Sequence, residues 1–160
     1  MRYLVLLCMA LLVWSILPSS AVGLDGKMVR FTGGSGVSIP MGAPGHLKTD
    51  HDSLLVFTVV DDARLRMSIP YKAVTGLEYG QEVSRRVAMA LALRSYLPLL
   101  SKTRKHFLTI DYTDTGGAPQ TVVFELGKEV VSPLLAILEA KTGKKIVPQD
   151  DEARKTLNRK

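Results

Sequence analysis

Residues His106–Leu126 read HFLTIDYTDTGGAPQTVVFEL, and this stretch decides the fold. Leu108, Ile110 and Tyr112 recur with period two, and so do Val122, Phe124 and Leu126. Alternation of that kind puts one side of an extended chain toward a core and the other toward solvent. Between the two runs, Asp114-Thr115-Gly116-Gly117 supplies the positive φ that a tight hairpin needs. The spacing predicts two antiparallel strands, His106–Thr113 and Thr121–Leu126.

Immediately before the hairpin stands a stretch of different character, Val83–His106, reading VSRRVAMALALRSYLPLLSKTRKH. Arg94 and Ser95 alone interrupt the apolar block Val87–Leu100, and there is no acidic residue in the stretch. Its six Lys/Arg equal the formal net charge of +6, since the other fifteen basic residues are matched by fifteen acidic ones. As a helix the block would be roughly 21 Å long, short of the roughly 30 Å hydrocarbon core of a bilayer. Pro98 would kink or end such a helix. A simple transmembrane span is therefore not expected. Apolar residues between two basic clusters suit a membrane surface, where the side chains insert and the cations meet anionic headgroups. The alternatives are a helical hairpin packed on its own domain and a homodimer contact.

Further toward the N-terminus the pattern is again strand-like. Met28–Thr32, His46–Thr49, Leu54–Val60, Arg64–Ile69 and Thr75–Tyr79 read as short strands separated by Gly, Pro and Asp turns. In Arg64–Ile69 the sequence directs Leu65, Met67 and Ile69 inward. After the hairpin the period changes: Val131, Leu134, Leu135 and Leu138 follow helical spacing, and Gly143 reads as the stop. Pro148–Lys160 is charged and nearly free of large apolar residues, which predicts a solvated tail.

The start of the chain has the layout of an export signal. Arg2 gives a positive beginning, Tyr3–Trp14 an apolar run, and Ser19–Gly23 a small-residue region cleavable after Ala21 or Gly23. The chain's single cysteine, Cys8, lies within that run. A processed chain would hold no thiol, which excludes disulfides, thiolate catalysis and Cys-based zinc sites. The predicted organisation is a signal at 1–23, a mainly β domain at 24–146 with the insertion at 83–105, and a charged flexible tail at 147–160.

Candidates for chemistry are few. His46 with Asp50-His51-Asp52 offers metal-ligand types, yet on a strand and turn they converge only if the turn folds back. They read as polar turn residues, Asp61-Asp62 as a turn, and His106 as a headgroup contact or a surface histidine. Tyr71 and Tyr79 read as packing residues, and Arg64 and Arg66 as a solvated basic pair. The Gly/Pro-rich loop Gly33–Gly45 lacks the Lys-Ser/Thr pair of a phosphate-binding loop. No catalytic set, metal site or cofactor is expected, so the sequence predicts a protein that is not an enzyme. Nucleic acid is not an expected partner either, because the basic residues flank an apolar block whose aromatic content is Tyr96 alone.

The element order and several local phrases resemble the pleckstrin-homology-like superfold, including GRAM-type domains. Those phrases are Gly45–Thr49 with Leu54–Phe57, Ser68–Val74 and Leu108–Tyr112. The insertion and the Leu-Glu-x-x-Thr-Gly-Lys ending at Leu138–Lys144 are similar to a group of small exported bacterial proteins of unknown role. The resemblance implies a barrel of about seven antiparallel strands in two near-orthogonal sheets, capped by the C-terminal helix. The basic cluster used for phosphoinositides in that superfold is not reproduced, since Lys27, Arg30 and Lys48 are sparse.

The functional expectation is an exported domain docking on an anionic membrane surface. Its contact residues are Arg85, Arg86, Val87, Met89, Leu91, Leu93, Arg94, Tyr96, Leu97, Leu99, Leu100, Lys102, Arg104 and Lys105. The alternative is an interaction module whose insertion meets a protein partner or a second copy.

Overall fold

The computed structural model describes residues 28–91 and 105–158. The export signal and the insertion residues Leu93, Arg94, Tyr96, Leu97, Leu99, Leu100, Lys102 and Arg104 lie outside the described residues, as does the Arg85 side chain. Eight strands form one sheet: β1 (Val29–Gly34), β2 (Pro44–Lys48), β3 (Leu54–Val59), β4 (Arg66–Pro70), β5 (Val74–Gly80), β6 (His106–Thr113), β7 (Pro119–Leu126) and β8 (Ile146–Pro148). Their order in space is β4-β3-β2-β1-β7-β6-β5-β8. Three helices accompany them: α1 (Arg85–Ala90), α2 (Lys128–Thr142) and α3 (Asp151–Leu157).

The period-two runs become strands because one side of each finds apolar partners. Leu108, Ile110, Val122 and Phe124 are fully buried on the inner face, together with Phe31 and Phe57. The three phenylalanine rings stack into the centre, with centroids 5.1 to 6.2 Å apart. Gly45 on β2 lies beneath Phe57, where an added Cβ would stand 2.5 Å from both that ring and the Thr58 carbonyl oxygen. Helix α2 covers this face with the predicted Val131, Leu134, Leu135 and Leu138, all buried. It ends at Gly143, whose φ of 68° is the left-handed stop that glycine adopts without strain.

Two expectations need correction. The sheet is mixed and open, with β4 and β8 as its edges, and is not a closed barrel of seven antiparallel strands. After β4 the chain turns through a single 3-10 turn, Tyr71–Ala73, and β5 takes its second neighbour from the C-terminus. The tail is also structured. Ile146 returns beside Leu77 as the start of the parallel strand β8, and its amide donates to Glu139 Oε1 at 3.1 Å. Asp150 then caps α3 through Ala153 N and binds Gln81 N, each at 2.6 Å. Ala153 is buried and Leu157 packs beside it against the core. Two apolar residues among charges are too thin a pattern to announce a helix, and the shape of the β5 edge supplies the rest.

A smaller difference has a local cause. Strand β4 begins at Arg66 rather than Arg64, because Asp62 accepts both the backbone N–H and the guanidinium of Arg64 at 3.0 Å and holds it in the turn.

Candidate functional site

Strands β6 and β7 are buried on both sides. Besides the inner residues, Phe107, Thr109, Val123 and Glu125 are covered on the outer face. The cover is the first part of the insertion. Ser84 caps α1 by accepting from Val87 N at 3.4 Å, and the helix then lays Val83, Val87 and Ala88 on Phe107 and Val123, with Leu91 at the margin. Val87 is 2 % exposed. Its assignment to a membrane-contacting surface is thereby withdrawn: a β-branched side chain between two strands' apolar residues is held in the fold. Met89, one residue past Ala88, is 57 % exposed.

Around this apolar seat the outer face is acidic, with Glu78 on β5, Asp111 on β6 and Glu125 on β7. Each carboxylate receives a cation from the insertion. Arg86 Nη2 lies 3.0 Å from Glu78 and 3.5 Å from Asp111, and the pair of acids holds its guanidinium pKa above the ordinary value, Glu78 contributing most. Thr121 Oγ1 donates to the other Asp111 oxygen at 2.5 Å. At the far end of the insertion, Lys105 Nζ lies 3.1 Å from Glu125, which also faces Arg30 of β1 at 3.8 Å. One oxygen of Glu78, Oε2, is buried without a hydrogen-bond partner. The segment therefore leaves and rejoins the sheet at two ionic attachments on one face.

The acidic outer face was missed by the sequence reading. Its signal was present: Glu78, Asp111 and Glu125 occupy the outward positions of the alternating strands that flank a segment with no acid of its own. Which face the insertion would cover could not be read from spacing.

The other candidates are placed apart. His46 is exposed on β2, and His51 Nδ1 accepts from Ser53 N at 3.1 Å within its turn. Among the described residues no group of three His, Cys, Asp or Glu is disposed to hold a metal. Tyr71 is buried beneath Lys141, whose ammonium stands 5.2 Å from the ring centroid and donates to the Thr49 and His51 carbonyls at 2.9 Å. His106 is not a simple surface histidine. Its Nδ1 lies 2.7 Å from the hydroxyl of buried Tyr79, and the rings stack with 8° between planes. Burial first, then Lys128, pulls the His106 pKa below its ordinary value, against Asp150. Desolvation pushes the Tyr79 phenol up, opposed by a hydrogen bond with Thr156 of α3.

A shallow cleft of about 320 Å³ opens between the loop Gly36–Ile39, the start of β4 and Tyr112. No histidine, cysteine or carboxylate lines it, so it offers no nucleophile–base pair. Among the described residues no helix is long and apolar enough to cross a membrane. No family model and no curated protein matches the chain.

Proposed function

We propose that this chain is a non-catalytic, exported domain of pleckstrin-homology-like type that docks on an anionic membrane surface through its insertion. The observation that carries the reading is the content of the segment between the two ionic attachments. From Leu91 to Lys105 the chain holds Leu93, Tyr96, Leu97, Leu99 and Leu100 with Arg94, Lys102 and Arg104, and no acid. Full burial of a leucine side chain is worth about 1.5–3 kcal/mol. Each cation near an anionic surface adds about 1 kcal/mol, reduced by salt. Partial insertion of four leucines with three cations is enough for measurable binding after ordering costs. The resemblance in element order and the Tyr3–Trp14 run followed by small residues support the fold type and the export.

The test is flotation with vesicles of phosphatidylglycerol and phosphatidylcholine, against phosphatidylcholine alone and against high salt. The chain should float with the anionic vesicles, less with the neutral ones and less in salt. Replacing residues 92–104 by a short Gly/Ser link should abolish flotation while circular dichroism stays unchanged. Undiminished flotation of that variant, or a wild-type chain that remains soluble as a stable dimer, would overturn the proposal.

A further inference from the structure

The insertion contributes two kinds of basic residue, and geometry separates them. Arg86 and Lys105 face carboxylates of the chain's own sheet at 3.0 and 3.1 Å. Arg94, Lys102 and Arg104 lie in the stretch between those attachments. The apolar residues divide in the same way. Val83, Val87 and Ala88 are seated on Phe107 and Val123, while Met89 faces outward. We infer that the insertion meets an anionic bilayer with α1 still seated on the outer sheet face, Met89 being turned to the lipid and Arg86 and Lys105 acting as positioning residues. This rests on the membrane-docking reading above.

Three observations argue that the seat persists on docking. First, lifting α1 would expose Phe107 and Val123, at present 7 % and 0 % exposed, on a face whose other groups are carboxylates. An anionic surface repels that face, so the exchange of partners is unfavourable for both sides. Second, Glu78, Asp111 and Glu125 would lose their cations together, and the Glu78 oxygen already without a hydrogen-bond partner lies among them. Third, Glu125 joins Lys105 to Arg30, so the return of the insertion is tied to β1 as well as to β7. The attachments place the helix, and the helix places Met89 on the side away from the sheet. At the other end of the same strands, Thr115 in the β6–β7 turn is exposed. The eight residues of β6 separate the two ends by about 24 Å, which makes Thr115 a fixed reference away from the lipid.

The experiment uses the full chain in a Cys8→Ser background, with single cysteines Met89→Cys or Thr115→Cys carrying an environment-sensitive fluorophore, and the same anionic vesicles. The Met89 label should shift to the blue on binding and the Thr115 label should not. Hydrogen exchange at Ala88 and Leu91, whose amides donate to Ser84 and Val87, should stay as slow on vesicles as in solution. Arg86→Gln or Lys105→Gln should speed that exchange about two- to fivefold without altering the salt dependence of binding, and Arg86→Lys should restore it. Lys102→Gln should weaken the salt dependence and leave the exchange unchanged. Faster exchange on vesicles, a shift of the Thr115 label in place of the Met89 label, or an Arg86→Gln effect on salt dependence equal to that of Lys102→Gln would overturn the inference alone. Absence of vesicle binding by the wild type would overturn the docking reading and this inference together.

Discussion

Helices α1 and α2 cover opposite faces of the same sheet by different physics. Helix α2 spans Lys128–Thr142 and presents four buried aliphatic residues to a core that extends through all eight strands. Helix α1 spans Arg85–Ala90 and joins a cluster of five buried residues, with charge pairs flanking it. A six-residue helix has little stability of its own, because nucleation costs more than two turns of hydrogen bonds return. Its order therefore depends on the seat and the ion pairs, whereas α2 is held by the bulk of the hydrophobic core. The inner helix belongs to the fold, and the outer one positions the segment that follows it.

Substitutions can break or sharpen this contrast. The largest effect is expected for Leu138→Ala on α2, where a fully buried leucine faces the centre. Chemical denaturation should show a loss of about 2–5 kcal/mol, and a loss near zero would remove α2 from the core. Gly45→Ala should follow on the same side, at about 1–3 kcal/mol, since the Thr58 backbone cannot move away from a new Cβ without disturbing the β2–β3 ladder. Val87→Ala on α1 should cost about 1–2 kcal/mol and show itself first as faster exchange in residues 87–91. Equal costs for Val87→Ala and Leu138→Ala would erase the distinction between the two helices.

His106 gives a test by pH at the junction of the insertion with α3. Its folded pKa lies below the ordinary 6.5, so the unfolded chain takes up the proton more readily. Its contribution to stability is full above pH about 6.5 and is lost as the pH falls through the folded value. The groups facing it are Tyr79, Lys128 and Asp150, with Thr156 behind Tyr79. Thermal melts between pH 7.5 and 5 should fall more steeply for the wild type than for His106→Gln. Parallel curves would show that the imidazole does not titrate with folding. The smallest effect is expected for Arg86→Gln, whose guanidinium is 66 % exposed. A solvent-screened pair of this kind is worth about 0–1 kcal/mol globally, so a loss of 3 kcal/mol would mean that α1 is part of the core.

The sequence by itself determined the strands β1 to β7, the helix α2 and its stop at Gly143. Each of these carries a repeat of two or of 3.6 residues, and burying one face is the physical content of the repeat. It also determined the composition of the insertion, in which apolar side chains and cations alternate with no acid among them. Tertiary structure decided which face the insertion covers. That required Glu78, Asp111 and Glu125, separated by tens of residues, to be brought together by the β5-β6-β7 register around Phe107 and Val123. It also decided the fate of residues 146–157, where Ile146, Ala153 and Leu157 are too few to show a period. They become a strand and a helix because β5 offers an unpaired edge, and a free backbone edge is satisfied by whichever segment the chain can return to it.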